Sequence, residues 1–98
     1  MTVITWPEGI SRQTVADLLM DARTQMQVLE QISARFQRKY GGSLTALEAR
    51  LDRGEGSEHP DWEDSIEWRN AMELLERQRK LQGVLEWMLR STVPSQIS

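Results

Sequence analysis

At 98 residues, with 39% hydrophobic content, 28% charged content and a net charge of −3, the chain has the composition of one small helical domain. It has no run of about 18 apolar residues, which excludes a membrane span, and no cysteine, which excludes disulfides and thiolate metal sites. The charge offers no general attraction to nucleic acid or anionic lipid, and the cysteine-free composition suits a cytoplasmic protein.

The N-terminus lacks a basic region followed by a long apolar core, so no signal peptide is expected. Thr2 to Trp6 is β-branched and aromatic, and Pro7 stops it. One strand has no ladder, so residues 1–10 are expected to form an apolar strap, with a tail or a strand added to a partner's sheet as the alternatives.

A long helix is predicted over 11–40, opened by Ser11 as N-cap and stopped by Gly41 and Gly42. Its apolar stripe is Val15, Leu19, Ala22, Met26, Leu29, Phe36 and Tyr40, with Ser33 in the one missing core position. This spacing is the seam of a helix packed lengthwise on another helix. Leu18, Val28 and Ile32 widen the stripe, which predicts more than one neighbour.

A short helix is predicted over 43–53, with Ser43 as an N-cap candidate and Leu44, Leu47 and Leu51 on one face. Gly54 and Gly56 end it, and residues 57–60 read as a loop. A second long helix is predicted over 60–90, with Asp61, Glu63 and Asp64 in its first turn, where negative charge complements the macrodipole. Its predicted stripe is Ala71, Leu74, Gln78, Leu81, Leu85 and Met88, with Trp68, Leu75 and Val84 beside it. Gly83 weakens the helix or permits a close approach. Residues 91–98 read as a tail.

The fold class is therefore all-α: a long antiparallel helical hairpin with a short connecting helix, in a single domain. An isolated hairpin leaves one side of each wide stripe uncovered. A homodimeric four-helix bundle is the expected solution.

No catalytic constellation stands out. His59 lies near Glu58, Asp61 and Glu63, but a loop histidine before a proline is an ordinary boundary residue, and no metal ligand set is assigned. Glu63 with Glu67, and Glu73 with Glu76, have the spacing of magnesium-binding carboxylates in all-α nucleotide pyrophosphohydrolases. Nearby Arg69, Arg77, Arg79 and Lys80 account for them as surface ion pairs. Arg35, Arg38 and Lys39 with Arg77, Arg79 and Lys80 could make a basic face, but lack interleaved aromatics, so no direct nucleic-acid role is assigned.

Charge is unevenly spread. From Glu48 to Glu67 there are two bases against eight acids, a net of −6, and the remainder carries +3. One end of the hairpin is therefore expected to be acidic and suited to a basic partner. Trp62 and Trp68 frame this segment, six apart and so on different faces; Trp68 is expected to pack on the leucines of the short helix and Trp62 to be the exposed one, a frequent kind of binding anchor.

The run Lys39-Tyr-Gly-Gly-Ser-Leu-Thr-Ala-Leu-Glu-Ala-Arg-Leu51, then Gly54-Glu55, then His59-Pro-Asp-Trp-Glu-Asp-Ser-Ile-Glu-Trp68, resembles a loose group of short prokaryotic proteins: antitoxin components encoded beside a toxin gene. The resemblance spans roughly Phe36 to Leu81. It implies a non-enzymatic protein without cofactor, which neutralises a basic protein toxin by occlusion. On that reading the partner-binding residues are Leu47, Leu51, Asp61, Trp62, Asp64, Glu67 and Trp68. The alternative is a structural or adaptor homodimer with no toxin.

Overall fold

The computed structural model describes residues 10–56 and 58–91. The expected strap over 1–10 and the tail beyond Ser91 lie outside these residues, apart from Ile10. Among the described residues three α-helices form: α1 (Arg12–Tyr40), α2 (Leu44–Asp52) and α3 (Glu63–Ser91). A π-helical turn, Glu58–Trp62, leads into α3, so the second long helix starts as α-helix three residues later than the proline suggests.

Local chemistry sets these boundaries. Ser11 Oγ accepts from the Thr14 backbone N–H at 3.1 Å, and Ser43 Oγ accepts from that of Ala46 at 3.1 Å. Gly41 closes α1 at φ 67°, a left-handed conformation that costs a residue with a Cβ. Its N–H donates to the Gln37 carbonyl at 2.8 Å. Ser65, buried at the start of α3, donates its hydroxyl to the Trp62 carbonyl at 2.7 Å and so satisfies the π-helical turn.

α1 and α3 pack antiparallel along their length. In heptad lettering, Leu19, Met26, Ser33 and Tyr40 are a residues of α1, and Val15, Ala22, Leu29 and Phe36 are d. On α3, Trp68, Leu75, Gln82 and Leu89 are a, and Asp64, Ala71, Gln78 and Leu85 are d. The pairs Phe36–Trp68 and Tyr40–Asp64 keep one register, a facing d, and Leu19–Leu85 continues it.

This register corrects the seam of α3. Leu75 is buried, while Leu74 and Leu81 are 44% and 43% exposed. The two candidate stripes share Ala71, Gln78 and Leu85 and differ in which flank turns inward. Trp68 decides the rotation. Its ring stacks on Phe36 at 5.7 Å and on Tyr40 at 6.5 Å, and its Nε1–H donates to Ser33 Oγ at 2.9 Å. Ser33, the gap in the α1 stripe, is the hydrogen-bond acceptor that a buried indole needs.

The core is divided. Phe36, Leu47 and Trp68 form a cluster at the loop end, covered by Ile32, Tyr40, Leu44 and Leu51. Val15, Leu19 and Leu85 form another at the open end, with Met88 and Leu89 against it. Between them the α3 seam carries Ala71 and Leu75, both buried, and then Gln78 and Gln82, both half-buried. Nothing lies within 4 Å of a Cβ built at Gly83, so this glycine makes no close approach within the hairpin.

Candidate functional site

The loop end gathers residues from all three helices. Lys39 Nζ reaches Asp64 Oδ2 at 2.5 Å, and the Tyr40 hydroxyl donates to the same oxygen at 2.5 Å and to Asp61 Oδ1 at 3.3 Å. The Lys39 hydrogen bond, then that of Tyr40, holds the Asp64 carboxyl below its ordinary range. Partial burial, then the bond to Asp64, pushes the Tyr40 hydroxyl above its own.

The signs of these shifts fix a pH dependence. A lowered Asp64 contributes stability above the ordinary carboxylate pKa, lost as pH falls through the folded value. A raised Tyr40 contributes stability below the ordinary tyrosine pKa, lost as pH rises past about 10. Tyr40→Phe is expected to cost about 1–2 kcal/mol near neutral pH. The gap between it and wild type should narrow near pH 11. Urea unfolding at both pH values measures this, and a constant gap would remove the hydroxyl–carboxylate contact as its cause.

Arg69 donates through Nε to Glu48 Oε2 at 2.7 Å and through a second nitrogen to the same oxygen, which ties α2 to α3. Beside this pair lies an open groove of about 310 Å³ lined by Glu48, Leu51, Asp52, Trp62, Ser65, Ile66 and Arg69. Trp62 is 54% exposed and Ile66 42% exposed on its wall.

The seven residues singled out by sequence separate here. Leu47 and Trp68 are 2% and 1% exposed, so they are core residues that a docking partner does not reach. They are buried because α2 folds its leucine face onto the indole and Phe36. Asp61 and Asp64 face Tyr40 and Lys39. Glu67 is exposed and lies 3.9 Å from Arg35. Trp62 and Leu51 remain on the groove, and Ile66 joins them. Ile66 escapes sequence reading because it stands outside both candidate stripes of α3.

The acidic end is also less acidic than its local sequence. Folding brings Arg35, Lys39 and Arg69 against Glu67, Asp64 and Glu48. From residue 35 to residue 69 there are six bases against eight acids, a net of −2. The two basic clusters do not merge. Arg35 and Lys39 sit across from the start of α3, whereas Arg77, Arg79 and Lys80 lie about three to four turns further along that helix. Among the described residues, no three His, Asp or Glu side chains are grouped to hold a metal ion, and no helix is long and apolar enough to cross a membrane.

A second feature runs along one side of the hairpin. In an antiparallel pair the g positions of both helices fall on one side and the e positions on the other. The Arg23–Glu86 pair, both e, marks the polar side, with N to O at 3.2 Å. The g side, with its neighbouring c positions, carries Leu18, Val28, Leu74, Leu81 and Val84, all more than 40% exposed. On the e side and its neighbouring b positions the large exposed apolar residues among those described are Met20 and Met72.

No family model, curated protein or solved structure matches the chain.

Proposed function

We propose that this chain is a non-catalytic protein-binding module that pairs with a second copy as a four-helix bundle. The observation carrying this reading is the apolar g side, where Leu18, Val28, Leu74, Leu81 and Val84 stand exposed on one flank. α1 has 29 residues, about 43 Å at 1.5 Å per residue. The exposed apolar residues lie within 18–28 on α1 and 74–84 on α3, about 15 Å of each helix. An apolar patch shared in this way by two helices is the kind of surface that another protein covers.

Sedimentation equilibrium tests the reading. The 11.4 kDa chain should run at twice its mass at micromolar concentration, and Leu74→Glu with Leu81→Glu should run as a folded monomer. A wild-type monomer at 100 µM would overturn it.

The second reading concerns the loop end. The exposed Trp62 and Ile66 beside the groove favour a protein partner held there, the antitoxin-like role of occluding a toxin. With the end near charge balance, recognition rests on Trp62 rather than on net charge. Co-expression with the product of the neighbouring gene tests this. Growth arrest by that product, relieved by the wild-type chain and not by Trp62→Ala, supports the reading. Relief unaffected by Trp62→Ala removes the groove from it.

A further inference from the structure

The groove at the loop end stays open whether or not two hairpins pair. Ser65 and Arg69 on its wall are e and b residues of α3, on the side away from Leu74 and Leu81. We infer that the groove takes an arginine side chain presented by the partner protein. The inference rests on the loop-end reading above and names the chemistry that this end accepts.

The lining divides into an apolar wall and a charged rim. Trp62, Ile66 and Leu51 make the wall. The loop after α2 closes tightly behind it: a Cβ at Gly56 would lie 2.6 Å from Leu51 Cδ2 and 3.3 Å from Asp61 Oδ2. Glu48, Asp52 and Arg69 make the rim. Arg69 is held by Glu48 and has Glu73 one turn on, so its charge is offset. Asp52 is left over. Among the described residues nothing bonds to or pairs with its carboxylate. It is also the last residue of α2, where the helix dipole adds to its negative charge.

Few side chains match this lining. A wholly apolar one leaves Asp52 unanswered, and a carboxylate is repelled by it. Lysine and arginine each carry an apolar stem behind a cationic head. Arginine fits better, because its planar guanidinium stacks on an indole face and presents a fork to a carboxylate. The indole N–H of Trp62 has no partner among the described residues. It can donate to a backbone carbonyl of the segment that carries the arginine.

The probe is N-acetyl-arginine methylamide, and its citrulline analogue, similar in shape but uncharged, is the control. Titration is followed by NMR at the indole N–H of Trp62, identified by the loss of that signal in Trp62→Phe. The arginine probe should shift the signal saturably. Asp52→Asn should weaken binding about fivefold, and the citrulline analogue should bind the wild type about fivefold more weakly. Asp52 and Trp62 are both exposed, so the variants should fold, which circular dichroism checks. No response, equal shifts by the two probes, or a titration unchanged by Asp52→Asn overturns the inference. Growth relief in the co-expression experiment separates it from the reading it rests on. Relief lost in Trp62→Ala and kept in Asp52→Asn, with no response to the arginine probe, keeps a partner in the groove and overturns arginine as its anchor. A saturable, charge-dependent shift with relief intact in both variants supports the arginine site and removes the toxin from it.

Discussion

Trp68→Ala is expected to lower stability by about 3–5 kcal/mol, the cost of emptying a fully buried aromatic site. A domain of this size has only about 5–15 kcal/mol in total, so the variant should be largely unfolded or close to it at 37 °C. The ring is 1% exposed, stacks on Phe36 and Tyr40, and has α2 laid over it through Leu47. Its loss removes the α3 member of the buried cluster that joins α1, α2 and α3. Trp68→Phe separates packing from polarity. It keeps a stacked ring but leaves Ser33 Oγ without the indole N–H, and about 1–2 kcal/mol should be lost. Urea unfolding followed by circular dichroism reads both values without relying on tryptophan emission. A Trp68→Ala loss under 1 kcal/mol would mean that the loop-end cluster does not anchor the fold.

Some of this architecture is legible in the sequence because it is local. Ser11, Gly41 and Ser43 act within one turn, through caps and a left-handed residue, and the helices begin and end at them. The rotation of α3 is not local. Ala71, Gln78 and Leu85 fit either of two stripes, and the choice rests on a contact between Trp68 and Ser33, 35 positions apart. Periodicity shows that Ser33 interrupts a stripe but not what it accepts. Charge fails for a similar reason. The −6 of residues 48–67 is a property of the segment, and Arg35, Lys39 and Arg69, which offset it, come from outside that window. Trp62 and Trp68 part as their places in the sequence suggest: Trp68 lies under the leucines of α2, and Trp62 is half-exposed.

Leu85→Ala is expected to act differently from Trp68→Ala, although it too empties a core site. Leu85 closes the open-end cluster with Val15 and Leu19, and its truncation should cost about 2–4 kcal/mol. Half-buried Gln78 and Gln82 separate this cluster from the loop end. Apolar contact therefore thins where these two amides face Met26 and Ala22, and the open end can fray while the loop end stays closed. Hydrogen exchange should show faster amides over residues 12–22 and 82–91, with protection kept over 33–40 and 68–75. Trp68→Ala should lose protection throughout. Equal loss at both ends in Leu85→Ala would show that the helix pair opens as one unit despite its polar middle.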